Sequence, residues 1–147
     1  MNASMQYRLR LAEGFLDEAR QDWELRRWRA CVAHAQLSVE NALKAIIACF
    51  VPLAKTHDPG RTLLRLMEKQ QIPPQAHGTL KDIVEEARLL GPQVHVQTDY
   101  GDEFAGQTPW ELFTQEDAEL ALRTATRVLS RVTAWLDTPG HLQKAAS

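Results

Sequence analysis

Residues Trp28 to Phe50, WRACVAHAQLSVENALKAIIACF, restrict the fold more than any other stretch of the chain. These 23 residues include no Gly and no Pro, and 16 of them are apolar. As a helix they would be about 34 Å long at the usual rise per residue. Placed at about 100° per residue, Trp28, Cys31, Val32, Ala35, Val39, Ala42, Leu43, Ile46, Cys49 and Phe50 gather on one side. Arg29, Gln36, Glu40 and Lys44 form a polar stripe, and His34, Ser38 and Asn41 fall among alanines in a third sector. Leu37 and Ile47 lie on the polar side, where a single packed face does not need them, and point to a second contact surface. A helix apolar on several sides is covered by more than one neighbour. This stretch is therefore the expected centre of a helical bundle.

The rest of the chain divides around it. From about Ser4 to Glu24, Leu9, Ala12, Phe15, Leu16, Ala19 and Trp23 recur at helical spacing. The turn near Leu25–Arg27 is so short that this helix and the central one are expected to run antiparallel and adjacent. Pro52 ends or loosens the central helix. Asp58-Pro59 reads as an N-cap followed by a first-turn proline, opening a third helix to about Gln70 through Leu63, Leu64, Leu66 and Met67. Ile72-Pro73-Pro74 stops it. A fourth helix, about Gln75 to Leu90, carries Leu80, Ile83, Val84 and Ala87 and stops at Gly91-Pro92. Residues 91–113 are the least regular part and read as a long loop, with Phe104, Trp110 and Phe113 as aromatics that pin it to the bundle. Thr114-Gln115-Glu116-Asp117 is a variant capping box. It opens a last helix to about Leu136 with Ala118, Ala121, Leu122, Ala125, Val128, Leu129 and Val132 facing inward. The expectation is an all-α protein, an up-and-down four-helix bundle with one additional short helix. One domain spans 1–137, and 138–147 form a flexible C-terminal tail.

Composition narrows the classes of function. The chain has 147 residues and a net charge of −2, so bulk charge gives no sign of nucleic-acid binding. Its two cysteines, Cys31 and Cys49, are 18 residues apart on one helix face, too far to bridge each other. They read as buried small hydrophobes of a reducing compartment. The first residues lack the basic–apolar–small pattern of a secretory leader, and no apolar run is long enough to span a bilayer. A cytoplasmic location without membrane association is expected.

Four segments resemble the HEPN domain family, small helical-bundle proteins named for suspected nucleotide binding. They are Ala12-x-x-Phe15-Leu16-x-x-Ala19, Ala35-Gln36-x-x-x-Glu40-x-Ala42-Leu43-Lys44-Ala45, Thr56-His57-Asp58 with Leu63-Leu64-x-Leu66, and Phe113-Thr114-x-Glu116-Asp117-Ala118. In order and spacing they cover about Leu9 to Leu136. One departure is marked. Where many relatives carry Thr-Arg-Tyr-Pro-Asp, this chain reads Thr98-Asp99-Tyr100-Gly101-Asp102, and a carboxylate stands where a guanidinium would hold phosphate.

The resemblance implies a partner role beside a minimal nucleotidyltransferase, as in two-gene toxin–antitoxin modules, with homodimerisation and association with nucleotide or RNA. Gln36, Glu40 and Lys44 are the implied nucleotide-binding strip. Glu40 and Lys44 also stand at the i,i+4 spacing of a helical ion pair worth a few tenths of a kcal/mol. The ribonucleases of the family use Arg and, four to six residues on, His. Metal-free cleavage needs a near-neutral proton carrier and a fixed cation at the phosphate. Arg88 and His95, with six residues between them, satisfy that spacing in about the right region. They give the alternative of a metal-independent endoribonuclease. Arg29 and His34 also fit the spacing, but they sit in the central helix and point about 140° apart. A Tyr two residues after the His is absent, since that position is Gln97. A third alternative is a dimeric scaffold without a working site. His57 reads as support for the turn before Pro59, and His77 and His141 as surface residues. No His/Cys/Asp/Glu cluster has metal spacing, and no phosphate-binding loop or dinucleotide fingerprint is present. Neither a metal nor a cofactor is expected.

Overall fold

The computed structural model describes residues 2–138. Its elements are α1 (Ala3–Glu24), α2 (Trp28–Ile47), α3 (Pro59–Glu68), α4 (Pro74–Ala87), a 3-10 turn (Arg88–Leu90), α5 (Pro92–Tyr100), α6 (Pro109–Leu112) and α7 (Gln115–Asp137). The described residues hold no strand, only one isolated bridge between Asp102 and Gln107. The all-α class expected from periodicity is what the chain adopts. The tail expected at 138–147 lies, from 139 onward, outside the described residues.

Helices α1 and α2 form an antiparallel pair through a turn that Arg26 completes at φ 56°. Small side chains let the two backbones approach, and Ala12, Ala19, Ala35, Ala42 and Ala45 are fully buried. The Ser38 hydroxyl donates to the Ala12 carbonyl at 2.7 Å, satisfying a polar group inside the pair. The Asn2 side chain caps α1 at the Met5 amide and also donates to the Ala48 carbonyl, tying the start of α1 to the end of α2. Helix α7 lies across both. Its stripe of Ala118, Ala121, Ala125, Val128, Leu129, Val132 and Leu136 is buried as the period predicts. The Thr114 capping box closes as read, with the hydroxyl on the Asp117 amide and the Asp117 carboxylate on the Thr114 amide. Asp58 caps α3 at the Arg61 amide.

Three expectations need correction. The central helix ends at Ile47, not Phe50, because residues 48–50 wind into a turn ahead of Pro52. Ile47 is only 2% exposed and belongs to the core, so it offers no second contact surface; Leu37 is half-buried. Finally, residues 91–113 contain two helices. Helix α5 lacks an apolar stripe, and Thr98 is its only buried residue, so hydrophobic periodicity could not reveal it. Polar bonds fasten it instead. The Arg29 guanidinium donates to the Thr98 carbonyl at 2.8 Å and His95 bonds the side chain of Gln36, while the Thr98 hydroxyl turns back on its own helix to the His95 carbonyl. Of the aromatics expected to pin this stretch, only Phe113 packs on the core. Phe104 is fully exposed and Trp110 is 73% exposed, with the Arg29 guanidinium 5.7 Å from the Trp110 ring centre.

Helix α5 ends at Gly101, φ 69°, where a Cβ would stand 2.1 Å from the Gln107 carbonyl oxygen. Proline, fixed near −65°, cannot take this conformation, so the glycine here reflects a different path of the backbone from a proline at the same place. Gly101→Ala is expected to cost about 2 kcal/mol or more in urea unfolding. Gly14→Ala, on the exposed face of α1 with nothing within 4 Å of the new methyl, should gain about 0.5–1 kcal/mol.

Burial raises both thiols from 9.0 to about 11, aided at Cys31 by the negative charge of Asp22. A raised folded-state value means stability is fully present below pH 9 and lost as the pH climbs toward 11. The alkaline loss of stability should therefore be shallower in the Cys31→Ala/Cys49→Ala double variant. Thiol labelling of the native protein at pH 8 should run about 100-fold slower than labelling of the urea-unfolded chain. Equal rates would mean that the thiols are not buried as described.

Candidate functional site

The polar stripe of α2 does not face water. Gln36, Glu40 and Lys44 are 1%, 4% and 8% exposed. A spacing of four keeps them on one side of the helix, and there the connection 48–58 and helix α5 close over them. Each then needs an internal partner.

The partners come from distant parts of the chain. His57, in the connection before α3, places Nδ1 3.1 Å from Glu40 Oε1. Lys44 Nζ lies 3.4 Å from the other carboxylate oxygen, Oε2, an electrostatic pairing more than a short hydrogen bond. His95, on α5, places Nδ1 3.2 Å from Gln36 Oε1. The two imidazoles stack on each other with ring centres 4.6 Å apart and planes 18° apart. A carboxylate or amide oxygen only accepts, so both rings donate through Nδ1–H, and each neutral ring keeps a lone pair on Nε2. Gln36, Glu40, Lys44, His57 and His95 thus form a continuous network. Sequence reasoning placed His57 at a turn, and it missed the connection to Glu40. The one available hint was a His in a short segment between two helix signals, facing a helix that carries an unexplained acid.

Two cavities flank this network. The first, about 340 Å³, is lined by Gln36, Glu40, His57, Asp58, Arg61 and Arg88, with Val39, Leu43, Leu64 and Val84 as its apolar wall. The second, about 480 Å³, is lined by Arg8, Lys44, Lys55, Thr56 and His57, with no carboxylate among its lining residues. Arg8 and Lys55 carry no local motif and were not legible in the sequence. Arg88 lines the first cavity but pairs with Glu85 at 3.2 Å, both side chains mostly exposed, a contact worth little in water. His95 stands behind Gln36. Arg88 therefore lines the cleft while His95 does not, and no direct contact joins the two.

The alternative pair separates altogether. Arg29 turns to Thr98 and Trp110, while His34 sits between Glu18 and Asp22 and stacks on Phe15. His77 donates through Nε2–H to the Ile72 carbonyl and is partly buried, contrary to the surface role expected for it; His141 lies outside the described residues. At α6, the Thr108 hydroxyl and amide bond the Glu111 carboxylate and lower its pKa, closing a second capping box.

The comparisons agree with this architecture. The HEPN domain model matches residues 5–135, and the chain belongs to the HEPN domain family. Among solved structures, TT1696 from Thermus thermophilus is similar at 26% identity and a TM-score of 0.71, over 91% of this chain and 98% of that one. ST0689, described as an archaeal HEPN homologue, shares the fold at 22% identity and a TM-score of 0.65, over 93% of this chain and 100% of that one. No curated protein matches the sequence. No helix among the described residues is long and apolar enough to cross a membrane.

The buried charges give a direct test. Removing Glu40 strands the Lys44 ammonium, so Glu40→Ala should cost about 3 kcal/mol or more. The double variant Glu40→Ala/Lys44→Met should recover at least half of that loss in urea unfolding. Additive losses would mean that the two groups are not coupled.

Proposed function

We propose that this HEPN protein binds a nucleotide or RNA through its phosphates and works as the partner of a minimal nucleotidyltransferase, in a module of the toxin–antitoxin type. One observation carries the reading. The Glu40–His57–Lys44 network separates a mixed cleft from a cavity whose charged lining is entirely cationic, Arg8, Lys44 and Lys55. A nucleotide would place its phosphates among these cations and its base or ribose against the apolar wall of the cleft. Gln36, Glu40 and Lys44 are the binding strip in this reading, with His57 as the hinge between the two spaces. Lysine and arginine supply the salt-dependent part of such binding. The partner role rests on the family, and a homodimer is part of the same proposal.

Fluorescence anisotropy with a short labelled RNA and calorimetric titration with ATP test the binding. Arg8→Ala and Lys55→Ala should each weaken RNA binding about 3- to 10-fold, and each should lower the salt slope by about 0.7. Absence of binding to either ligand, or binding indifferent to both substitutions, sinks the reading. Co-purification with a nucleotidyltransferase encoded next to this gene tests the partnership, and a monomer mass in light scattering rules out the dimer.

A second reading has its own support. Arg88 lines the cleft beside Gln36, and Gln36 holds His95 with Nε2 available for proton transfer. These are the two kinds of group a metal-independent endoribonuclease would need, with His95 reaching the cleft only through Gln36. RNA cleavage in the presence of a chelator, lost in both His95→Ala and Arg88→Ala, supports it; cleavage unchanged in His95→Ala excludes it.

A further inference from the structure

We propose that Glu40, His57 and His95 form a binding site for one divalent transition-metal ion of the zinc class. The three residues come from α2, the connection before α3, and α5, and one ligand atom from each lies within 4.8 Å of the others. Two imidazoles and one carboxylate are a donor set that suits zinc and its neighbours rather than magnesium or calcium, which prefer oxygen alone.

The hydrogen bonds already in place orient these donors. His95 gives its Nδ1–H to the Gln36 amide oxygen, which fixes the tautomer and leaves Nε2 for a metal. An outer carbonyl partner commonly does this for a ligating histidine. The Glu40 carboxylate has two oxygens with separate tasks. Oε2 is held by Lys44, while Oε1 meets only His57 among the described residues. Metal binding exchanges that single hydrogen bond for a metal–oxygen bond and keeps the lysine as the outer partner of the carboxylate. The Glu40 carboxylate, 4% exposed, then lies between two cations, the ammonium on Oε2 and the ion on Oε1.

The site has to close around the ion. Ligand atoms around a tetrahedral zinc stand about 3.4 Å apart, so the donors must draw in by roughly an ångström. Two stacked rings direct their in-plane lone pairs side by side, and one must turn for both to meet a single ion. His57 can do so. Its side chain is 67% exposed and its backbone lies outside any helix. His95 and Glu40 are carried on helices and form the fixed pair. Three protein donors leave a further position for water or a ligand oxygen. Glu40 and His57 both line the 340 Å³ cleft, so that position opens toward it. This inference stands apart from the nucleotide reading, since it concerns the protein and the ion alone.

The test uses tag-free full-length protein, stripped with a chelator and titrated with Co²⁺ while the visible d–d bands are followed. Zn²⁺ is then added in competition. The expected result is saturation at one equivalent per chain, bands of a four- or five-coordinate ion, and displacement by Zn²⁺. His57→Asn and His95→Asn should each weaken Co²⁺ binding at least about 10-fold, and Glu40→Gln should do the same. His34→Asn, at the separate Glu18–Asp22 cluster, should leave it unchanged. Because His57 is exposed, its variant is expected to keep the far-ultraviolet circular dichroism of the parent. Absence of saturable Co²⁺ binding by the parent overturns the proposal. So does binding that survives in both His57→Asn and His95→Asn, or binding abolished by His34→Asn alone.

Discussion

A carboxylate on the innermost helix of a bundle has to be neutralised where it stands. Glu40 is 4% exposed, and the structure around it can be read as the set of groups that make this tolerable: Lys44 one turn along the same helix, His57 from the following connection, and behind them Gln36 holding His95. A buried ion pair gives little net stability, because desolvation consumes most of the attraction. Apolar residues at both 40 and 44 would serve packing as well. The pair is therefore not where the stability of the bundle comes from.

The stability that holds this arrangement comes from elsewhere. Helices α1 and α2 approach closely over alanines, and α7 lies across both with its stripe of buried apolar residues. End devices add to this: Asn2 on α1, Asp58 on α3, and reciprocal capping boxes on α6 and α7. Each cap contributes on the order of 1 kcal/mol. The result is a firm floor made by α2 and a cover of two kinds: the connection 48–58, anchored on the core through Phe50, Val51 and Leu53, and the more loosely held α5, which packs on the core through Val94. Firm support below a more adaptable cover suits a site that must accept an occupant.

How much of this was legible in the sequence depended on which force shaped each part. The start of the central helix, the antiparallel α1, the Asp58-Pro59 start and the Thr114 capping box all rest on local rules, and all appear where residue pattern puts them. Ile47 was misplaced because a wheel assumes one buried face, and α2 is enclosed on more sides than its apolar stripe implies. Helix α5 escaped notice because polar bonds to Arg29 and Gln36 hold it, 69 and 59 residues away. The cluster of Glu40, His57 and His95 was invisible for a related reason. Its members stand 17 and 38 residues apart in sequence, beyond any local spacing rule, and only the closed fold brings them together. Gln36, Glu40 and Lys44 were singled out from the resemblance, yet their burial could not be read from the i,i+4 spacing, which an exposed ion pair would share.

The polar attachment of α5 also sets when the site exists. Joining His95 to Gln36 and Thr98 to Arg29 closes loops of about 60 to 70 residues, and the entropy lost in such closures is recovered only once the rest of the bundle is in place. The α1–α2 hairpin needs no such closure. A helix with one buried residue returns little hydrophobic free energy on docking, so its detachment belongs to the low end of the local opening energies within a fold. The α5 side of the network, His95 on Gln36, thus belongs with the late-forming and easily opened contacts of the fold. Anything that grips His95 also acts as a clasp on α5, and the presence of an occupant is written into how often that helix opens.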